Sequence, residues 1–226
     1  HLRLKRLGID VPFFSLETPS SRIVSRYISE IGKVNMFKMS NPRLHPPPFH
    51  PDWERLKAAS AEVDELGLTV FDGNWDIERI RTKARQLVKR GAQGIMIDNL
   101  VCIKTRKQFD SQQRKYMYLL DKFREIREDI NKPIILLAHP NADGNVKWAG
   151  ELEDLADVVL YLFDVEKEGE RRDVDLYGKL EIVPRNLPEL HQHIIGKVQK
   201  NRDGATPRLE MEFDLEYQTF RPLGGA

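Results

Sequence analysis

With 226 residues the chain can bury a substantial core, and it fits one large α/β domain better than two complete ones. Its 36 Lys and Arg nearly cancel 35 Asp and Glu, so no global field draws it to nucleic acid or to an anionic membrane, and any such binding has to be local. The only cysteine, Cys102, excludes an intrachain disulfide and a cysteine-built zinc site, and no apolar run is long enough to cross a bilayer. Nothing in the sequence resembles a signal peptide, and a cytoplasmic setting is expected, that of a phage-infected cell included, ahead of the mitochondrial matrix.

In chain order, "HLRLKRLG" opens inside a helix, with Leu2, Leu4 and Leu7 ahead of Gly8, and leads into the strand-like "VPFFSLE". The proline-rich stretch 41–52 suits neither helix nor inner strand and is predicted to be an exposed loop. "LTVFDG" reads as a strand. In "DIERIRTKARQLVKRG", Ile77, Ile80, Ala84, Leu87 and Val88 share one helical face, with Asp76 as N-cap and Gly91 as stop. The strand "GIMIDN" follows. Next comes the helix "QQRKYMYLLDKFREIREDINKP", with Leu119, Phe123, Ile126 and Ile130 on one face and Pro133 ending it. "PIILLAH" and "DVVLYLF" are further strands, and 164–178 is a charged loop. Beyond residue 172, "GKLEIV", "IIGKVQKNR" and "RLEMEFD" read as antiparallel strands finishing the sheet. The alternation predicts one α/β domain over 1–226: a mainly parallel twisted sheet flanked by helices, with antiparallel strands at its C-terminal edge.

Ligands of open parallel sheets bind at the carboxyl ends of the strands. Those ends carry Glu17, Asp98 and His139. Asp98 suits magnesium, Glu17 could orient and deprotonate a water, and His139 could sense a γ-phosphate. Each alone also fits a strand simply meeting solvent; the convergence of all three points to a site. A nucleotide site of this kind normally needs a loop of the form G-x-x-x-x-G-K-S/T. The pairs Gly32-Lys33, Gly178-Lys179 and Gly196-Lys197 are followed by Val34, Leu180 and Val198, so none qualifies. Such a loop lies just before a helix that leads into the first strand, and the missing motif is expected ahead of His1, the domain being N-terminally incomplete.

Five blocks carry a resemblance: "FFSLETPSSRIVSRYIS", "DIERIRTKARQLVKRGAQGIMIDNL", "ILLAHPNAD", "GELEDLADVVLYLF" and "QKNRDGATPRLEMEFDLEYQTF". Their order and spacing resemble the RecA-like motor domain of DnaB-like hexameric replicative helicases, a P-loop NTPase core. "KNRDG" and the strand-end histidine look more like the Twinkle and phage primase-helicase branch. The resemblance implies an ATP-hydrolysing helicase that moves on single-stranded DNA and assembles into a ring, by family a homohexamer, with primase and other replisome proteins as partners and no membrane. It implies ATP and Mg²⁺ as cofactors, Glu17 as catalytic base, Asp98 with Asn99 beside it as the cofactor-binding pair, and His139 as polar sensor. Lys200 and Arg202 match the cations that a neighbouring subunit lends to the phosphates; a trans arginine is worth about 10³–10⁵ in rate. "QKNRDG" also reads as a hairpin, a suitable mount for such a finger.

For DNA, "NADGNVKWAGELEDL" aligns with the family's gripping loop, placing Lys147, Trp148 and Gly150 there. "CIKTRKQFDSQQRK", with Lys104, Arg106 and Lys107, lines the channel or is a solvated loop. His191 and His193 are expected in a surface loop, and 182–196 looks like an insertion before the finger strand. Two other classes stay open: a non-catalytic DNA-binding or ring-assembly module, and another RecA- or KaiC-like ATPase.

Overall fold

In a computed structural model, residues 1–41, 43, 50–139, 149–165 and 190–223 are described. The elements are α1 (Leu2–Arg6), β1 (Phe13–Ser15), α2 (Ser20–Gly32), α3 (Met36–Ser40), α4 (Pro51–Leu66), β2 (Val70–Asp72), α5 (Ile77–Lys89), β3 (Ile95–Asp98), α6 (Gln112–Ile130), β4 (Ile134–Leu137), α7 (Ala149–Leu155), β5 (Val158–Asp164), β6 (His191–Asn201), β7 (Arg208–Asp214) and β8 (Thr219–Pro222). They divide into two compact units, His1–Tyr27 with Ser60–Leu155, and Ile28–Ala59 with Ala156–Ala226.

In the first unit the strands pair in parallel, in the order β2-β1-β3-β4. Inner strands covered on both faces have to be apolar throughout, as "FF" and "IMI" are. Phe14, Ile95 and Ile97 are fully buried, and they pack with Ile77, Ile80 and Ala84 of α5 and with Leu119, Phe123 and Ile126 of α6. Burying each large side chain contributes about 1.5–3 kcal/mol before entropy is counted, so this cluster holds the sheet to its helices. Arg81 of α5 fastens the rim by bonding Glu125 and Asp129 of α6 at 2.8 and 2.6 Å.

Local chemistry sets the helix ends. The Asp76 carboxylate accepts from the Arg79 N–H at 2.8 Å and starts α5, and Gly91 takes φ +104° just past its end. Ser111 starts α6 by accepting from the Arg114 N–H. The helix stops at Asn131 in the left-handed conformation (φ 47°), two residues before the expected stop at Pro133, because asparagine tolerates that turn and its N–H still reaches the Arg127 carbonyl. The loop expected over 41–52 is shorter, since α4 begins at Pro51; proline is favoured there because the first helical N–H has no partner to lose. Residues 42 and 44–49 lie outside the described residues, as do 166–189, which take in nearly all of the charged loop and the first half of the 182–196 segment.

The second unit holds the antiparallel strands, which form a sheet of their own in the order β5-β6-β7-β8. "DVVLYLF", whose apolar run groups it with the parallel strands, is β5, and its partner is the long antiparallel β6. An apolar run leaves strand direction and partner undetermined, and in β5 it does not report burial either, since Val158, Leu160 and Leu162 are exposed. Asp214, fully buried, caps the β7–β8 turn by accepting from Glu216 and Tyr217 N–H at 2.9 and 3.1 Å. Asn35 starts α3 and ties it to that turn through the Glu216 carboxylate, at 3.0 Å.

Candidate active site

Three parallel strands end side by side, and their register aligns the residues just beyond those ends. Ser15 at the end of β1 pairs with Asp98 at the end of β3, and Asp98 pairs with Leu137 at the end of β4. Glu17 and His139, each two residues past a strand, are thereby brought to Asp98. The turn carrying Glu17 is fixed from both sides: Leu16 N–H donates to the Asp98 carbonyl at 2.6 Å, and the fully buried Ser15 hydroxyl donates to the Thr18 carbonyl at 2.6 Å. At the end of β2, Asp72 accepts from the Ser20 N–H at 2.7 Å and starts α2; that hydrogen bond holds its carboxyl below the usual carboxylate range.

The Glu17, Asp98 and His139 ligand atoms lie within 4.8 Å of one another. His139 Nε2 stands 3.4 Å from Glu17 Oε2 and 3.8 Å from Asp98 Oδ1. Glu17 and His139 are about half exposed, at 52% and 58%, while Asp98 is 19% exposed, so two polar side chains face solvent beside a more deeply set carboxylate. Burial pushes the Asp98 carboxyl up; His139 opposes the shift, the Glu17 charge adds to it, and Arg26 on α2 opposes it. Asp98 Oδ1 is buried and accepts no hydrogen bond among the described residues. A buried carboxylate oxygen without a donor, beside a second carboxylate and an imidazole, fits a divalent cation, and the hard oxygens suit Mg²⁺.

Asn99, expected beside Asp98 as a cofactor contact, is held by partners of its own chain. It is 3% exposed; its Oδ1 accepts from Val101 and Cys102 N–H at 3.0 and 3.3 Å, starting a 3-10 turn, and its Nδ2 donates to Glu17 Oε2. Neither Asn99's partner nor the proximity of Arg26 carries any motif in the sequence.

The matched profile covers residues 3–222 and is that of the DnaB-like helicase C terminal domain. The chain belongs to this family. Among curated relatives of this DnaB-like domain, the replicative DNA helicase DnaB of Mycobacterium leprae (strain TN) is 27% identical over 162 residues, covering 66% of this chain and 26% of the relative. That of Geobacillus stearothermophilus is 23% identical over 225 residues, covering 93% of this chain and 45% of the relative. The chain therefore spans less than half the length of either. A solved DnaB-like replicative helicase, studied with its primase interactions, superposes with a TM-score of 0.79 at 20% identity, over 97% of this chain and 52% of the other. A solved ATPase domain gives 0.77 at 20% identity, over 98% and 77%. A KaiC-like protein of Pyrococcus horikoshii OT3 gives 0.57 at 15%, over 98% and 78%. These likenesses establish the RecA-like fold of this DnaB-like domain, with the replicative helicase ahead of the KaiC-like protein.

The remaining candidates fall elsewhere. Lys104, Arg106 and Lys107 are exposed between β3 and α6: Arg106 pairs with Asp76 at 3.3 Å, and Lys107 lies over Phe109 and Tyr118. Lys147 and Trp148 lie outside the described residues, and Gly150 is in α7. In the second unit, Lys200 is in β6, and Arg202 stands at the tip of the β6–β7 hairpin, bonded to Asp157 at 2.6 Å. His191 and His193 are strand residues of β6, not a surface loop. His191 contacts Glu212, His193 is 3% exposed and 3.7 Å from Glu210, and antiparallel register brings these carboxylates over. No helix among the described residues is long and apolar enough to cross a membrane.

Proposed function

We propose that the chain is the motor domain, one domain over 1–226, of an ATP-dependent replicative helicase that translocates on single-stranded DNA and unwinds duplex. The observation that carries this is the convergence of Glu17, Asp98 and His139 at one strand edge in a chain of the DnaB-like family. Asp98 would hold Mg²⁺, which when bound would supply positive charge to neutralise the phosphate oxygens. Glu17 accepts a proton from a water as its oxygen forms a bond to the γ-phosphorus and the bond to the bridging oxygen of ADP breaks. His139 donates a hydrogen bond to the γ-phosphate. Lys200 and Arg202 act on the nucleotide of the neighbouring subunit in a homohexameric ring. Lys147, Trp148 and Gly150, with Lys104 and Arg106, meet the DNA strand. Primase and other replisome proteins are the partners, and the cytoplasm is the setting.

The test uses the full-length protein. It is expected to hydrolyse ATP with stimulation by single-stranded DNA, to separate a forked duplex, and to lose both activities in Glu17→Gln. Hydrolysis without strand separation would favour a RecA- or KaiC-like ATPase; neither ATP binding nor hydrolysis would refute the motor.

A further inference from the structure

We infer that Asn99 is the positioning residue for Glu17, a role that rests on the reading of Glu17 as the catalytic base. A buried amide has to satisfy both of its ends, and here chemistry decides which end faces which way. Val101 and Cys102 offer backbone N–H groups, which can only donate, so the Asn99 oxygen has to face them. The Nδ2 end is then turned toward the Glu17 carboxylate, which can only accept. The orientation of this amide is thus set by its donors and leaves no freedom for a flip.

The mount is rigid. Leu100, which opens the 3-10 turn, and Ile103, just past it, are 3% and 0% exposed. Lys104 N–H donates to the Trp75 carbonyl at 2.9 Å, and Ile77 N–H donates to the Lys104 carbonyl at 3.2 Å, fastening the segment to the start of α5. Glu17, by contrast, is a half-exposed side chain with several rotatable bonds on a turn. Its other partner among the described residues is His139, which the proposed mechanism commits to the γ-phosphate. Asn99 is therefore the donor that stays with the carboxylate through turnover and aims its free oxygen. Asn99 acts through Glu17 and does not contact the nucleotide.

Asn99→Asp isolates this role. It preserves shape and the acceptor for Val101 and Cys102, removes the donor, and sets a second carboxylate beside Glu17. In the full-length protein, kcat for DNA-stimulated hydrolysis should fall about 10- to 100-fold, the scale of a displaced catalytic group, with KM for ATP within about twofold of wild type. A residue that merely supports the fold would not split kcat from KM in this way. Asn99→Ala, which removes donor and acceptor without adding charge, should show the same kcat loss, and it carries the test if Asn99→Asp fails to fold. Wild-type kcat in either variant, with Glu17→Gln inactive, would overturn the inference alone. An active Glu17→Gln would overturn the reading of Glu17 and this inference with it. A raised KM at unchanged kcat in both variants would overturn it in favour of a direct nucleotide contact.

Discussion

Gly94, immediately before β3, is the position where one methyl group would do most damage to the frame that holds the site. A Cβ built there meets the Pro133 carbonyl oxygen at 2.9 Å, Pro133 Cγ at 3.3 Å and Val11 Cγ2 at 3.7 Å. Carbon and a carbonyl oxygen settle at about 3.3 Å or more, so the two backbones would have to part by about 0.4 Å. That oxygen also accepts the Ile95 N–H at 3.1 Å, the bond that opens the β3–β4 ladder. Parting by that amount takes the bond out of range, a loss of about 1 kcal/mol, on top of overpacking at about 1–3 kcal/mol. Gly94→Ala should therefore destabilise by about 2–4 kcal/mol, which for a chain of this size lowers Tm by about 4–16 °C. Thermal unfolding followed by circular dichroism measures it. An unchanged Tm would refute the reasoning, since the nearest obstacle is backbone and cannot swing aside.

Asp98→Asn should raise stability near neutral pH, measured without divalent cations. Burial lifts the native Asp98 carboxyl above its ordinary value of 3.8. Its contribution is therefore present below that value and lost as pH rises through the native one. The Tm advantage of the variant should shrink as pH falls toward 4; an advantage that is absent, or that grows on acidification, would contradict the sign. Arg202→Ala should lower hydrolysis about 10³-fold or more while nucleotide binding is largely kept. Its pairing with Asp157 is half exposed, so releasing it for use in trans costs at most about 1 kcal/mol. Mixing Arg202→Ala with Glu17→Gln subunits should restore part of the activity, and failure to do so would count against action in trans.

Much of the fold is legible in the sequence because its signals are local. In α5 the cap Asp76, the buried face of Ile77, Ile80, Ala84 and Leu87, and Gly91 at its end can all be read within one stretch, since each depends on neighbours a turn away. Glu17, Asp98 and His139 can be named because parallel sheets present their ligands at strand ends, and register alone then brings the three together. Two errors share a different cause. The apolar run of β5 points to the parallel strands, and the composition around His191 and His193 points to a surface loop, because strand direction and cross-strand neighbours are set by residues distant in the chain.

The sequence by itself determined the α/β alternation, the ends of α5, the three strand-end groups and, through five ordered blocks, the family. Only the tertiary structure decided that a buried asparagine, with its oxygen committed to two backbone N–H groups, turns its amide to Glu17. It likewise decided that Asp98 sits deep enough for burial to lift its carboxyl against the pull of His139 and Arg26. Both depend on distances between segments far apart in sequence, and hydrogen-bond direction and desolvation act through space, where periodicity carries no information.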